Sequence, residues 1–337
     1  MKFPAGKLPL SHLTKLLATL PSPGPDVIIG PRAGEDAAAV TVGDEVLVIK
    51  GDPITFTAER MGWYAVNINA NDVACLGARP RWLVAMLMVP ERLATEAWIA
   101  GVFDDLCHAA SELDIAVVGG HTEITPGLDN PILAASLTGT VARRNLIDKR
   151  QMRAGDTLLL ARPVAIEGTA IMAAAQPSRC RTAIGEDRWR KAVHFSYEPG
   201  IGIMRLALAV AAVPNVTALH DPTEGGVLGA IYELLDGRGL GGLIDRTRIP
   251  IWPETKDLCR HFAIDPLRLI ASGSLLIAVR PDCADTARAA AQAAGAETVE
   301  IGTVLEKSQG IRVRTESGGI AHLAPPGPDE IIKILEL

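Results

Sequence analysis

The sequence has few aromatic residues and no excess of positive charge. Phe, Trp and Tyr together make up 4% of its 337 residues, so aliphatic side chains must fill the interior and little remains for stacking bases. The formal net charge is -6 at pH 7, which leaves no basic surface for a phosphate backbone. Both shortages argue against nucleic acid as a partner. Small anions stay compatible with the sequence, because a bound cation reverses the sign of an acidic site.

Paired cysteines and long apolar runs are also missing. Five widely spaced cysteines form no C-x-x-C pair, so reduced thiols are expected at Cys75, Cys107, Cys180, Cys259 and Cys283. The longest clean apolar stretch, residues 206–213, is far too short to span a bilayer. The first seven residues lack the apolar core of a signal peptide. These absences predict a cytoplasmic protein with no membrane partner.

Three common motifs of nucleotide-binding and hydrolytic enzymes do not occur. The chain has no G-x-x-x-x-G-K-[ST], no G-x-G-x-x-G after a strand and no G-x-S-x-G, so P-loop, dinucleotide-binding and serine-hydrolase functions lose their main support. Cys107 and His108 are neighbours on a predicted helix and face different directions, so spacing alone makes them no catalytic dyad. Any chemistry must come from another arrangement.

Length and apolar patterning predict two domains, residues 1–150 and 151–337, divided within the polar and basic stretch 145–155. An amphipathic segment at 12–20 and a proline-rich stretch at 21–25 precede the first strand. The elements predicted for the first domain are strands at 27–29, 37–42 and 45–50, a helix at 58–76, a buried strand at 81–89, a helix at 95–113 and strands at 115–118 and 131–141. This order describes an α+β fold with helices on one face of a sheet.

The second domain alternates strands and helices. Its predicted elements are a strand at 156–161, helices at 167–175 and 201–213, a strand at 216–219, a helix at 227–235, a strand at 275–279, a helix at 284–294 and a strand at 297–301. The pattern predicts an α/β sandwich.

What the sequence does contain is a set of four acidic motifs, each placed against an apolar run where an element is predicted to begin or end. Their carboxylates belong to Asp36, Asp52, Asp72 and Glu123. Magnesium prefers one or two carboxylates together with phosphate oxygens and water, so the set could hold two metal ions across a triphosphate. Each carboxylate taken alone could equally cap a helix or a turn.

Two of these motifs carry further candidates. Asn71 and Asp72 lie inside the predicted helix, where both residue types are disfavoured, so they either serve a site or form a solvated turn of the helix. Gly119 and Gly120 let a ligand approach the backbone, and His121, Thr122 and Glu123 are expected to point polar groups into the same place. His121 either contacts phosphate or is a hydrogen-bonded structural residue.

Weaker candidates lie elsewhere in the chain. The heptad from His220 to Gly226 opens a predicted helix, where free N–H groups favour an anion and Asp221 is a phosphate or metal contact, or else the heptad is a capping turn. Ser272 belongs to a segment that an ordinary tight turn explains. Lys7, in an N-terminal segment, could close over phosphates.

Taken in order, the motifs resemble those of the aminoimidazole ribonucleotide (AIR) synthase superfamily, and most closely its HypE-like hydrogenase maturation branch. The similarity covers nearly the whole chain. The motifs that carry it are Gly34-Glu35-Asp36-Ala37-Ala38, Gly51-Asp52, Asn71-Asp72-Val73-Ala74-Cys75-Leu76-Gly77-Ala78-Arg79-Pro80, Gly119-Gly120-His121-Thr122-Glu123 and His220-Asp221-Pro222-Thr223-Glu224-Gly225-Gly226.

The resemblance implies a homodimer whose N-terminal sheets pair into a barrel, with ATP and Mg²⁺ bound near the interface. It implies that a small-molecule substrate or a maturation-partner protein is phosphorylated on an oxygen. The roles that follow are metal ligands at Asp36, Asp52, Asp72, Glu123 and Asp221, nucleotide contacts at Lys7, Asp36, Asp52, Asn71, Gly119, Gly120, Thr122 and Glu123, and catalytic groups at Asp72, His121 and Asp221.

The chain departs from the HypE pattern at two points. It ends Ile334-Leu335-Glu336-Leu337 and its last cysteine is Cys283, so carbamoyl chemistry on a C-terminal cysteine is not expected. Lys50 replaces the threonine that usually precedes the Gly51-Asp52 pair. Three functions stay open: activation of a carboxamide, carbonyl or phosphate oxygen, a small-molecule kinase resembling thiamine-monophosphate kinase, and an ATP-binding maturation scaffold without turnover.

Overall fold

The computed structural model describes residue 3 and residues 8–32, 34–55 and 57–335. Their contacts divide the chain into two compact units. The N-terminal unit contains Pro23–Gly30 and Asp36–Leu146. The C-terminal unit contains Ile147–Leu337 together with Met1–Ser22 and Pro31–Glu35, as far as these ranges are described. The domain boundary between residues 150 and 151 stays a prediction.

The N-terminal unit is a six-stranded sheet with two long helices. Its elements are β1 (Val27–Ile29), β2 (Ala38–Val42), β3 (Glu45–Ile54), α2 (Met61–Cys75), β4 (Arg79–Pro90), α3 (Glu96–Glu112), β5 (Ala116–Thr125) and β6 (Ile132–Ala142); α1 (Leu10–Leu17) belongs to the other unit. The sheet order is β1-β2-β3-β6-β4-β5, with β4 and β5 parallel and the remaining pairs antiparallel. The α+β class and the mixed sheet are therefore confirmed.

Two strands are longer than their sequences predicted. β3 continues four residues beyond residue 50, so Asp52 lies inside a strand rather than at its end. β5 continues through the two glycines to Thr125, so the motif at residues 119–123 is extended strand. The two glycines predict a strand end, but hydrogen bonding to β4 keeps this segment in the sheet.

Helix α2 covers the sheet and is held at its start by α3. The Asp105 carboxylate accepts hydrogen bonds from the Trp63 backbone N–H (2.9 Å) and the Arg60 guanidinium (3.2 Å), which satisfies a free N–H in the first helical turn. A side chain at Gly62 would meet the Leu106 backbone nitrogen at 2.4 Å. The two helices therefore approach each other at a position that only glycine allows.

Strand β4 is not the buried strand that its apolar run predicted. Leu83 and Leu87 are buried, whereas Trp82, Val84 and Met86 are exposed, because successive side chains of a strand point to opposite faces. β5 forms the edge of the sheet, and nine of its ten residues are exposed. The sheet thus has one helix-covered face and one apolar face near β4 that no described residue of this chain buries.

The C-terminal unit is a seven-stranded sheet with helices. Its remaining elements are β7 (Thr157–Ala161), α4 (Ile166–Ala175), α5 (Pro177–Ile184), α6 (Glu186–His194), α7 (Met204–Ala211), β8 (Val216–His220), α8 (Gly226–Asp236), β9 (Leu240–Asp245), α9 (Pro253–Phe262), β10 (Leu275–Val279), α10 (Ala284–Ala293), β11 (Thr298–Glu306), β12 (Ile311–Arg314), β13 (Ile320–His322) and α11 (Ile332–Leu335). The sheet order is β13-β12-β9-β11-β7-β10-β8.

The sequence located every buried strand of the second half except β9 and β12. β7, β8 and β10 are mostly apolar and wholly buried, and such runs predict buried strands. β9 begins Leu240-Gly241-Gly242, and its glycines hide the strand pattern. A Cβ at Gly241 would lie 2.5 Å from the Glu306 carbonyl oxygen on β11, so these glycines permit close strand pairing.

Across the residues that the structure describes, no helix combines the length and the apolar character needed to cross a membrane.

The contact at Gly62 generates a stability prediction. Gly62→Ala should lower the free energy of unfolding by about 1–3 kcal/mol, because the new methyl group overlaps the α3 backbone. Gly101→Ala, on the open side of α3 where an added methyl group would have no atom within 4 Å, is the matched control and should gain up to about 1 kcal/mol from helix propensity. Urea denaturation of both variants measures the difference, and equal stability would contradict the close approach.

Candidate functional site

A lysine lies between two of the predicted carboxylates. The Lys50 Nζ atom is 2.9 Å from Asp72 Oδ2 and 3.1 Å from Asp52 Oδ2. Lys50 and Asp52 are two residues apart on β3 and share its helix-facing side, while Asp72 comes from α2. The structure therefore brings Asp52 and Asp72 together, as the sequence predicted. The positive charge between them is Lys50, which the sequence analysis noted only as a departure from the family pattern.

Burial strengthens the electrostatic attraction between Lys50 and the carboxylates around it. Desolvation alone would lower the pKa of Lys50, but the charges of Asp72, Asp52 and Asp36 outweigh it and raise the pKa well above its usual value. Asp36 is itself buried just before β2, and Asp72 is buried on α2. Lys50 is therefore permanently charged, and three carboxylates contribute to its stabilisation.

Two polar side chains hold the strand that carries the cluster. Asn69 Oδ1 accepts a hydrogen bond from the Asp52 backbone N–H (3.1 Å), and Asn69 Nδ2 donates to the Ala65 carbonyl oxygen (2.8 Å). From the other side, the Ser136 hydroxyl donates to the Lys50 carbonyl oxygen (3.0 Å). Sequence reasoning missed Asn69, although a buried asparagine two positions before Asn71 on the same helix was the available signal.

The motif on β5 forms a separate polar group. His121 Nε2 lies 3.2 Å from Glu123 Oε2, and the Thr125 hydroxyl donates to Glu123 Oε1 (2.8 Å). The hydrogen bond from Thr125, and then that from His121, lower the pKa of Glu123 below its usual value. Gly120 packs against β4, since a Cβ there would lie 2.1 Å from the Ala85 carbonyl oxygen. Its lack of a side chain is thus explained by strand packing.

The sheet register separates this group from the lysine cluster. Asp52 pairs with Ala135, Ala135 with Ala85, and Ala85 with Gly120, so Gly120 lies three strands away, about 14 Å at the usual strand spacing. Side chains alternate between faces along a strand, so Thr122 shares the helix-facing side with Asp52. His121 and Glu123 point together to the opposite face, so the expectation of convergence was wrong for Thr122 alone.

In the C-terminal unit, a carboxylate of the chain itself occupies the predicted anion position. Asp329 Oδ2 accepts a hydrogen bond from Gly225 N–H (2.6 Å) at the start of α8, and its Oδ1 accepts from Ile331 N–H (2.8 Å) and Ile270 N–H (3.2 Å). The Gly225 N–H that the sequence left free for a phosphate is therefore satisfied. Asp221 is buried beside the end of β8, and its role as a ligand stays a prediction.

A buried glutamate near this turn was not predicted. Glu167, in the first turn of α4, is 4% exposed, and its Oε2 has no hydrogen-bond partner among the described residues. Burial raises the pKa of Glu167 to about 7, the neighbouring charges of Glu224 and Asp329 act in the same direction, and Ser272 acts against them. The only signal in the sequence was a charged residue inside an otherwise apolar helix.

The first acidic motif is divided between two roles. Glu35 forms a buried ion pair with Arg238 of the C-terminal unit, to which Glu35 itself belongs, and Lys149 Nζ donates to the Gly34 carbonyl oxygen (3.2 Å). Asp36 is the first residue of the N-terminal unit after Glu35. Glu35 is therefore a structural anchor and Asp36 the ligand candidate. Lys7 lies outside the described residues.

The donor set fits a hard divalent cation. Carboxylate oxygens are the groups that Mg²⁺ selects, and the Lys50 ammonium shows that Asp52 and Asp72 already converge on one positive charge. The N-terminal unit therefore offers a metal ion three carboxylates, with the Lys50 ammonium already between two of them.

The buried Glu167 carboxyl group predicts a pH-dependent stability. Glu167 keeps its proton in the folded state up to a pKa of about 7, against 4.5 in the unfolded chain. Because the folded pKa is the higher one, its contribution is fully present below about pH 4.5 and is lost as the pH rises toward 7 and above. A pKa raised by this amount changes the free energy of unfolding by about 3 kcal/mol at most.

Denaturation midpoints measured from pH 5 to pH 8 should therefore fall for the unmodified protein. Glu167→Gln should reduce the slope, because glutamine stays neutral. Asp282→Asn, on the short turn before α10, serves as the control and should keep the original slope. An unchanged slope in Glu167→Gln would contradict the assignment.

Two curated relatives are similar over most of the chain. A putative hydrogenase expression/formation protein of Methanocaldococcus jannaschii is 26% identical over 264 residues, which cover 76% of this chain and 75% of the relative. The carbamoyl dehydratase HypE of Cupriavidus necator is 28% identical over 300 residues, which cover 86% of this chain and 82% of the relative.

Three solved structures share the fold. The hydrogenase maturation protein HypE in complex with ATP superimposes with a TM-score of 0.73 at 21% identity, covering 96% of this chain and 93% of that one. A chain of the HypE–HypF complex gives 0.73 at 22% identity, covering 87% and 94%. AaThiL complexed with AMPPCP and TMP gives 0.71 at 19% identity, covering 89% and 92%. At these identities the likeness shows the fold alone.

Family models settle the membership. The model of the AIR synthase related protein, N-terminal domain, matches residues 34–141, and the model of its C-terminal domain matches residues 153–314. The two matches span both compact units and contain Asp36, Asp52, Asp72, Glu123 and Asp221. The resemblance inferred from the motifs is thereby confirmed, and the chain belongs to the AIR synthase related protein family.

Proposed function

We propose that this protein is an ATP-dependent enzyme that phosphorylates a carboxamide, carbonyl or phosphate oxygen of a small molecule or of a maturation-partner protein. The observation that carries the proposal is the cluster of Asp36, Asp72 and the partly exposed Asp52 around Lys50. Family membership supports it, as do the folds shared with HypE bound to ATP and ThiL bound to AMPPCP. A phosphoryl-transfer site needs charge neutralisation and alignment rather than a protein nucleophile.

The proposed roles follow the geometry of each group. Asp36, Asp52 and Asp72 would hold Mg²⁺. Glu123 points to the opposite face of its own sheet and is a ligand candidate for a site that a second chain completes. Asp221 stays a proposed metal ligand of the C-terminal unit. Mg²⁺ supplies charge neutralisation of the phosphates when bound. The remaining proposed nucleotide contacts are Lys7, Asn71, Gly119, Gly120 and Thr122.

The reaction requires little covalent chemistry from the chain. An acceptor oxygen attacks the γ-phosphorus, the bond to the β,γ-bridging oxygen breaks, and ADP leaves with that oxygen. Asp72, His121 and Asp221 are the candidates for positioning the acceptor or receiving its proton. His121 is exposed and hydrogen-bonded to Glu123, so it can exchange protons with solvent. The phosphorylated oxygen then remains in the product or departs as phosphate.

A small-molecule kinase is the second candidate, and the likeness to AaThiL with AMPPCP and TMP favours it. The two candidates differ in the fate of the phosphoryl group. A kinase releases a stable phosphate ester, whereas oxygen activation releases ADP and inorganic phosphate. An ATP-binding scaffold would show binding and no turnover. Calorimetric titration of ATP with and without Mg²⁺, followed by ADP and phosphate assays over candidate amides and phosphate esters, separates the three.

Asp72→Asn should remove most of the Mg²⁺-dependent gain in ATP affinity. The change keeps the shape of the side chain and removes one of the two charges that face Lys50. We expect the affinity measured with Mg²⁺ to fall by about tenfold or more, equivalent to about 1.4 kcal/mol. Asp44→Asn, in the exposed turn between β2 and β3, is the control and should bind as the unmodified chain does. Unchanged affinity in Asp72→Asn would reject the metal-site assignment.

We also propose that the protein is a homodimer whose N-terminal sheets pair, in agreement with the resemblance to the family. The support is the uncovered apolar face of β4 together with the exposed edge strand β5. An exposed edge strand beside large apolar side chains is a template for pairing with another chain. The HypE–HypF complex further supports a maturation partner protein for this fold.

Light scattering at micromolar concentration should give twice the chain mass of 35.6 kDa. Met86→Glu places a charge in the uncovered face and should shift the mass to that of one chain. Ile320→Glu, equally apolar and exposed but on β13 of the C-terminal unit, should leave the dimer intact. A monomer for the unmodified protein would reject the proposal.

A further inference from the structure

The position of Lys50 bears on how many metal ions the site accepts. Its Nζ atom contacts the Oδ2 atoms of both Asp52 and Asp72, at 3.1 and 2.9 Å. The Lys50 and Asp72 side chains are 17% and 8% exposed, so solvent screens the pair weakly. The ammonium thus occupies the point toward which the two carboxylates converge.

The surrounding structure fixes this arrangement. Ser136 binds the Lys50 carbonyl oxygen from β6, and Asn69 binds the Asp52 N–H from α2. Asn69 is itself tied to Ala65 one helical turn earlier. The backbone that carries the lysine and the first carboxylate is therefore held on both sides, which keeps the Lys50 side chain directed into the space between the carboxylates.

A bridging Mg²⁺ would need that same space. It would lie about 2.0–2.1 Å from one oxygen of each carboxylate, which places it against an ammonium that contacts both groups. The two positive charges would repel each other where burial strengthens the interaction. One cation position of the cluster is therefore already taken by the Lys50 ammonium.

We propose that the Lys50 ammonium replaces one of two divalent cations, so that this carboxylate cluster accepts one divalent ion per chain instead of two. The inference rests on the proposed function only for the nucleotide-bound state. Lys50 then serves two purposes: it neutralises Asp52 and Asp72 before any ligand arrives, and it presents a fixed positive charge to the phosphates. The site has part of its positive charge without depending on the metal concentration.

Counting bound Mn²⁺ tests the proposal. Equilibrium dialysis and the free-Mn²⁺ electron paramagnetic resonance signal give the number of ions per chain, with and without the ATP analogue AMPPNP. Lys50→Thr should bind one Mn²⁺ more than the unmodified protein, and Mn²⁺ should raise its unfolding temperature by more. Lys50→Arg keeps the charge and should match the unmodified count. Equal counts in Lys50→Thr and the unmodified protein would overturn the proposal.

A count on the unmodified protein decides the matter even if Lys50→Thr does not fold. Saturated with AMPPNP, the protein should hold one Mn²⁺ per chain, and two would overturn the inference. The Mn²⁺ titration without nucleotide tests the role of Lys50 separately from the ATP site. An additional ion in Lys50→Thr supports the role of Lys50 even if AMPPNP binds neither protein. Failure of AMPPNP to bind would reject only the proposed ATP site.

Discussion

The N-terminal unit depends on compensating buried negative charge between its sheet and α2. Asp72 is almost fully buried and Asp52 partly so, and burying a carboxylate without a nearby positive charge is costly. Lys50 supplies that charge from the same strand as Asp52. Asn69 of α2 and Ser136 of β6 serve this constraint, because they fix the β3 backbone that carries Lys50 and Asp52.

Two buried acids of the C-terminal unit, Asp329 and Glu167, are compensated differently. Asp329 is held by three backbone N–H groups, and Glu167 is buried beside other carboxyl groups with no basic partner among the causes of its raised pKa. The carboxylates around Lys50 are therefore compensated by a permanent ammonium, whereas Asp329 relies on backbone donors and Glu167 on a retained proton. The first solution is insensitive to pH around neutrality, whereas the retained proton is lost as the pH rises.

The sequence predicted the architecture well because long apolar runs decide it. β7, β8 and β10 are mostly apolar and α2 and α3 are long, so patterning predicts their positions. The site was predicted in part. Local motifs identified Asp52 and Asp72, but the role of Lys50 appeared only when β3 and α2 were placed in contact. Asp329 meets Gly225 from 104 residues away, which no local pattern indicates.

The predicted end of β5 was also wrong because of a contact that local sequence does not show. Two consecutive glycines were interpreted as a strand end, yet a Cβ on Gly120 would overlap the Ala85 carbonyl oxygen of the neighbouring strand. The glycine thus allows the parallel pairing of β4 and β5 instead of ending it. Once the strand continues, the alternation of side chains assigns Thr122 to one face and His121 and Glu123 to the other.

This separation limits what a single chain can assemble. Within one N-terminal sheet, the lysine cluster and the His121–Glu123 pair lie on opposite faces and three strands apart. A ligand of nucleotide size bound at the lysine cluster would not reach both through the sheet. If both groups act on one substrate, a second chain must bring its β5 to the first, and the uncovered apolar face of β4 beside that strand is the surface through which it could do so.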